Sequence, residues 1–252
     1  GITQGDINGI GYEVILKTLA DPRMLELCIP VIYGSSKAIG YYKKLLELDH
    51  LSINIVKSAD EAGAKRINII NCGADELKVE MGQCTAEGGQ GAFAALEAAT
   101  AELQAGHIDA LVTAPINKSN MPNVSFKFPG HTEYLEHKAN GQKSLMILMS
   151  GNTRIALVTN HIAISEISKT ITEELILNKL AILNQTLIRD FGIVKPRIAV
   201  FGLNPHAGDQ GLFGDEEARI ITPALKKANQ KKLFQKTRTN RELSDRKSTR
   251  LN

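Results

Sequence analysis

Short β-branched runs alternate with longer amphipathic segments along almost the whole chain, and this alternation constrains the fold more than any other feature. Strands joined through helical crossovers run parallel, because each crossover returns the chain to the same end of the sheet. The runs predict strands at Ile2–Thr3, Ile29–Tyr33, Ser52–Val56, Arg66–Ile70, Ala110–Thr113, Ser144–Met149, Arg154–Val158 and Arg197–Phe201. Helical periodicity predicts helices at Gly11–Leu19, Ser36–Leu48, Gly91–Gln104, Thr132–Asn140, Thr172–Phe191 and Asp215–Gln230. The segment 172–191 is the best marked, with Ile176, Leu180, Leu183 and Leu187 at three- and four-residue spacing. Gly192 stops that helix and Pro196 precedes the next strand. The fold class is therefore α/β with a largely parallel sheet. Pro122 and Pro129 make residues 120–129 the most loop-like stretch. They suggest a first α/β subdomain over 1–125 and a second over 126–225.

Composition matters for what it excludes. With 43% apolar residues the chain can form a packed core. No apolar run approaches the ~20 residues that span a bilayer, and residues 1–25 lack the pattern of a secretory signal. Cys28, Cys72 and Cys84 are odd in number and widely spaced, so each reads as a small buried hydrophobe. A cytoplasmic protein with no membrane partner is the expectation. Residues 226–252 carry ten Lys/Arg against Glu242 and Asp245, leaving 20 basic and 25 acidic residues in the body. Such a tail could be a nucleic-acid arm. It lacks interleaved aromatics beyond Phe234, however, and its last eight residues resemble translated adaptor sequence. We read it as a non-native basic tail without a nucleic-acid partner. Gly1-Ile2-Thr3 reads as the middle of a strand, so both ends suggest a fragment.

Three groups of residues could carry chemistry. Gly5-Asp6-Ile7-Asn8-Gly9-Ile10-Gly11 follows a strand and opens a helix, as either an anion cradle or a tight turn. Its spacing matches neither GxGxxG nor a P-loop. Thr113-Ala114-Pro115-Ile116-Asn117-Lys118 lies at a strand's carboxyl end, where ligands gather in open α/β sheets. Asn117 and Lys118 could hold a phosphate or carboxylate there, or belong to a solvated loop. Among six histidines, His50, His107 and His137 sit in polar surroundings, whereas His131, His161 and His206 follow strand ends or glycine turns. Two of these could ligate a divalent metal through imidazole nitrogen, although no HExxH-type signature supports it.

Four blocks occur in order: Gly5 to Glu13, Thr113 to Lys118, Phe128-Pro129-Gly130-His131-Thr132-Glu133, and Gly202-Leu203-Asn204-Pro205-His206-Ala207-Gly208. Together, with His161 between the last two, they resemble the 4-hydroxythreonine-4-phosphate dehydrogenase family of pyridoxal phosphate biosynthesis. The likeness runs from Ile2 to about Leu225. It implies a two-subdomain fold of the isocitrate/isopropylmalate dehydrogenase kind, incomplete at the C-terminus, and a homodimer. It also implies NAD or NADP as hydride acceptor, a divalent metal (Zn, Mg or Mn), and oxidation and decarboxylation of a small phosphorylated substrate. Carried over by position, His131 and Thr132 match substrate-binding residues, and His161 and His206 match two of three metal-binding histidines. The third belongs to a Tyr-His-Asp-Gln-Gly block that this chain lacks, so the 252 residues are expected to show little or no activity. Asp6, Asn117 and Lys118 are possible cleft residues, and neither Asp6 nor Lys118 is assigned as general base.

Two other readings compete. A paralogous dehydrogenase of another phosphorylated hydroxy acid, such as phospho-threonate or phospho-erythronate, would use the same histidines. A truncated, non-catalytic binding protein is the reading from outside the enzyme class.

Overall fold

The computed structural model describes residues 1–73, 78–121, 126–140, 142–230 and 237–239. They form two compact units, Gly1–Lys143 and a second beginning at Ser144. Each is built from its own core, and the division falls after the third sequence block rather than at 125. Residues 122–125 of the expected hinge lie outside the described residues.

The first unit runs β1 (Ile2–Thr3), α1 (Gly11–Leu19), α2 (Met24–Leu27), β2 (Val31–Gly34), α3 (Ser36–Leu45), β3 (Ile53–Ile55), β4 (Ile67–Asn71), α4 (Ala86–Ala105), β5 (Val112–Thr113) and α5 (His131–Lys138). The five strands form a wholly parallel sheet in the order β3-β4-β2-β1-β5, as the alternation requires. Both faces are covered, and β2 shows how. Ile32 joins Ile67 and Ile69 of β4 against Leu16 of α1 and Ile39 and Tyr42 of α3. Its neighbours Val31 and Tyr33 join Ala95 and Ala99 of α4 on the opposite face. The two-residue period of a strand thus sends successive side chains into different layers. That is why a β-branched run without polar alternation marks a strand buried on both sides.

Two helix ends depart from the sequence reading for visible reasons. Helix α3 stops at Leu45 rather than Leu48 because Glu47 enters the left-handed region (φ 55°). Leu48 N then donates back to Lys43 O at 2.9 Å. Helix α4 begins at Ala86, five residues before the expected Gly91. The Oγ1 of Thr85 accepts from Gly88 N at 3.1 Å and caps the helix there. Local propensity disfavours Gly88 and Gly89 in a helix, but packing against other loops requires them. Of the cysteines, only Cys72 is buried, where desolvation pushes its thiol up to about 11. Cys28 and Cys84 are exposed, contrary to the small-hydrophobe reading.

The second unit contains β6 (Ile147–Ser150), β7 (Thr153–Ala156), α6 (Ile167–Thr170), α7 (Glu173–Arg189), β8 (Ile198–Val200), α8 (Thr222–Gln230) and β9 (Thr237–Thr239). Its core joins Ile176, Leu180 and Leu187 of α7 to Ile198 of β8 and Ala224, Leu225 and Ala228 of α8. Strands β6 and β7 pair antiparallel as a separate ribbon, with Leu148 opposite Ile155. They therefore do not extend a parallel sheet. Helix α8 carries Lys226 and Lys227, and β9 pairs parallel with β8. The first part of the basic segment thus takes part in this unit, while 231–236 and 240–252 lie outside the described residues. Among the described residues no helix is long and apolar enough to cross a membrane.

Candidate functional site

In the first unit the loops leaving β1 and β5 meet at the carboxyl edge of the sheet. Gly5 takes φ 67°, and a Cβ there would lie 2.3 Å from Pro115 O; Asp6 N donates to that same carbonyl at 2.9 Å. The buried Asp6 carboxylate accepts from Asn8 N at 2.9 Å and from Asn120 Nδ2 at 3.0 Å. Asn8 in turn donates through Nδ2 to Thr85 Oγ1 at 2.9 Å and accepts from Glu80 N at 2.8 Å. The first turn of α4 closes against this cluster, for a Cβ on Gly89 would fall 1.8 Å from Asn120 O. The glycine-rich block is therefore a joint: β1, β5 and the α4 N-terminus are locked together with Asp6 at the centre. Asn117 closes its own turn by accepting from Ser119 N at 3.0 Å. Asn8 lies in the first sequence block without a partner being evident, and Thr85 and Asn120 lie outside the blocks; a Thr85-x-x-Gly88 cap spacing is the signal that could have found Thr85.

The neighbouring N-terminus of α5 is built differently. Its N-cap is Gly130, which has no side chain to occupy the first-turn N–H groups. A helix N-terminus of this kind carries partial positive charge. Lys118 is exposed and lies beside it, with Nζ 3.8 Å from where a Gly130 Cβ would stand; Glu133 Oε2 reaches toward the same point. His131 is the first helical residue and half-buried, and its Nε2 is buried without a hydrogen-bond partner. Thr132 follows it, half-buried. The platform beneath is aromatic. Tyr134 stacks on Phe126 at 5.7 Å between centroids and meets Phe128 edge-on at 5.6 Å, with Phe93 of α4 behind. This arrangement can bind an anion through backbone N–H groups and an ammonium, with a neutral imidazole alongside.

Burial, and secondarily the charge of Lys118, hold the His131 imidazole below its ordinary value of about 6.5. The folded state therefore binds this proton less tightly than the unfolded chain. Its contribution to stability is intact at neutral pH and falls as pH drops through the ordinary imidazole value toward the lowered one. We expect the His131 ring to titrate below 6.5 by NMR. Lys118→Met should recover only part of the shift, because desolvation is the larger cause. A midpoint at or above 6.5 contradicts the buried, neutral imidazole.

In the second unit His161 and His206 are both exposed and both have positive φ, 54° and 53°. His206 begins five consecutive left-handed residues, through Gln210. Such a run is unusual, since each non-glycine residue there costs about 1–2 kcal/mol. The loop and the π-turn at Glu217–Ile221 bound a cavity of about 300 Å³ lined by Val200, Ala207, Gly211, Asp215 and Ile221 among others. Among the described residues no three His, Cys, Asp or Glu side chains converge to hold a metal ion. The two histidines therefore do not make a complete metal site, and no chemical step is assigned to a metal. His50, His107 and His137 are exposed.

Comparison with known proteins bears on both units. The model of the family described as pyridoxal phosphate biosynthetic protein PdxA matches residues 26–236, past the Leu225 at which the resemblance was drawn. A 4-hydroxythreonine-4-phosphate dehydrogenase from Bacteroides thetaiotaomicron is 56% identical over 232 residues, covering 92% of this chain and 64% of its own length. One from Sulfurihydrogenibium is 39% identical, covering 89% and 69% respectively. The crystal structure of a 4-hydroxythreonine-4-phosphate dehydrogenase from Burkholderia phymatum superposes with a TM-score of 0.81 at 32% identity, over 95% of this chain and 78% of that one. The chain thus spans just under two thirds of the Bacteroides relative.

Proposed function

We propose, from the premise that this chain belongs to the pyridoxal phosphate biosynthetic protein PdxA family, that it acts in a 4-hydroxythreonine-4-phosphate dehydrogenase. The observation that carries the reading is the α5 N-terminus, where a glycine cap, Lys118 and the unpartnered His131 Nε2 converge. The substrate is a small phosphorylated hydroxy amino acid. Its anionic end would lie on the first-turn N–H groups, with Lys118 as a point charge. His131, neutral at pH 7, would offer a hydrogen bond without adding charge, and Thr132 would add a hydroxyl. Asp6 and Asn120 hold these loops in register from behind.

The reaction would oxidise a secondary alcohol to a ketone, with NAD or NADP as the two-electron acceptor and the hydroxyl proton released to solvent; the β-keto acid would then lose CO₂, the α-carbon taking up a proton in its place. The chain's own residues bind and orient the substrate. His161 and His206 are proposed imidazole ligands of a divalent cation, Zn, Mg or Mn, for which the described residues supply no third partner. The fold is proposed to be of the isocitrate/isopropylmalate dehydrogenase kind, and the location cytoplasmic.

The deciding assay is NAD(P)H formation from 4-hydroxythreonine 4-phosphate with a divalent cation present. It is run on the 252 residues and on a chain completed with the parts of the Bacteroides relative that the match does not cover. Turnover by the completed chain is expected. Turnover of phosphorylated threonate in its place overturns the substrate, and no turnover of either overturns the reading.

Homodimerisation belongs to the same proposal. The β6–β7 ribbon leaves Leu148, Met149 and Ile155 exposed at 54%, 55% and 44%. A two-stranded ribbon is marginal by itself, and a second copy would cover these side chains. Leu148→Glu with Met149→Glu should convert dimer to monomer in sedimentation while leaving the far-UV spectrum unchanged. An unaltered sedimentation coefficient removes the ribbon from the interface.

A further inference from the structure

Glu217 is buried, yet among the described residues no cation pairs with it. Its Oε1 accepts from Asn204 N at 2.6 Å and its Oε2 from Asn204 Nδ2 at 3.0 Å. The same Asn204 Nδ2 also donates to Glu216 Oε2 at 2.8 Å. Two glycines make room for the carboxylate. A Cβ on Gly202 would stand 3.3 Å from Oε1, and one on Gly208 would stand 3.1 Å from Oε2. The Gly208 position is closed from the other side too, since its Cβ would lie 2.4 Å from Gly214 O. Between these contacts the chain makes its left-handed passage from His206 to Gln210. A path that L residues adopt only at a cost persists when surrounding contacts over-determine it. Here those contacts radiate from one carboxylate, placed at the start of a π-turn, a local irregularity that often accompanies functional sites.

We infer that Glu217 is a positioning residue: by gripping Asn204 between Gly202 and Gly208, it holds the 204–214 loop in its left-handed path and so fixes where His206 is presented. The inference rests on the proposed function only for why His206 matters, and the grip itself concerns this unit alone. Burial acts against the charged carboxyl, but the hydrogen bonds from Asn204, together with those from the Glu217 and Leu203 backbone, outweigh it and keep the group below the ordinary glutamate value. A charged acceptor is the stronger partner for an amide N–H. Asn204 belongs to the fourth sequence block, but nothing in the sequence tied it to Glu217, because the twelve residues between them carry no periodic signal.

The test follows amide hydrogen exchange and the His206 ring resonance by NMR in the 252-residue chain. The variants compared are Glu217→Ala, Glu217→Gln and Asn204→Ala. Glu217→Ala should speed exchange of the Asn204 amide at least tenfold and move the His206 ring resonance toward its value in a short peptide. The amides of α7 should keep their protection. Glu217→Gln, which retains an acceptor for Asn204 N, should restore most of the Asn204 protection. Asn204→Ala should loosen the loop as Glu217→Ala does. An unchanged His206 resonance in Glu217→Ala overturns the inference. So does a loss of protection spread evenly over α7 and the loop in Glu217→Ala and Asn204→Ala, which would make the carboxylate merely a general stabiliser. Because no turnover is measured, failure here is distinguishable from failure of the dehydrogenase reading.

Discussion

Gly89→Ala should destabilise the first unit by about 3 kcal/mol, the upper end of what overpacking costs. The added methyl would lie 1.8 Å from the carbonyl oxygen of Asn120 and 2.4 Å from its carbon. Both are backbone atoms, so no rotamer change relieves the clash. Either α4 moves off its seat, pulling its cap Thr85 from Asn8, or the 117–121 turn moves, pulling Asn120 from Asp6. Gly40, in α3, is the matched control, because nothing lies within 4 Å of its missing Cβ. Gly40→Ala should stabilise by about 0.5–1 kcal/mol through helix propensity alone. Urea unfolding read on the two variants checks both signs. A Gly89→Ala midpoint equal to that of the native chain would mean that α4 does not seat on the Asn120 carbonyl.

Gly130→Asp should separate stability from binding. Gly130 has extended backbone at the N-cap of α5 (φ −176°, ψ −169°), a conformation any residue adopts. Its missing Cβ has only ordinary contacts, 3.5 Å to Glu133 Oε2 and 3.8 Å to Lys118 Nζ. An aspartate there would cap the first-turn N–H groups and gain a few tenths of a kcal/mol over glycine. It would also place a carboxylate where the proposed anion lies, beside Lys118. Binding of phosphate or a phosphomonoester, followed through the Thr132 and Glu133 amide resonances, should fall by more than about 100-fold, since a hydrogen bond to a charged group is worth ~1.5–3 kcal/mol and several are lost together. Lys118→Met should weaken the same binding by only about tenfold, because an exposed ammonium is screened by solvent and salt. If Gly130→Asp binds phosphate as well as the native chain does, the α5 N-terminus is not the anion site.

The signals legible beforehand were local ones. Thr172 caps α7 through its Oγ1, which accepts from Leu175 N at 3.1 Å, and Gly192 follows in the left-handed region (φ 65°). Both are residue types that announce a helix end by their own chemistry. His131 and Lys118 were legible as polar residues after strand ends. That they share one helix terminus, over a platform of Phe126, Phe128 and Tyr134, was not. The Asp6 block shows the opposite case. Its glycines look like an anion cradle, yet the space Gly5 and Gly11 leave is taken by Pro115 O, Gln4 O and Ala114 Cβ.

By itself the sequence determined the alternation of strands and helices, the parallel sense of the first sheet, and the four ordered blocks by which the family is recognised. These are encoded by side chains a few residues apart, so spacing reveals them. Tertiary structure alone decided that α4 begins at Ala86 and that β6 and β7 stand apart as an antiparallel ribbon. It also decided that Asp6 serves a joint and that Glu217 grips Asn204. Each of these depends on where backbone groups, and the polar side chains that bind them or one another, come to rest from segments far apart or out of helical and strand register. Such groups are the same at every residue, and their meeting leaves no periodic trace in the side chains.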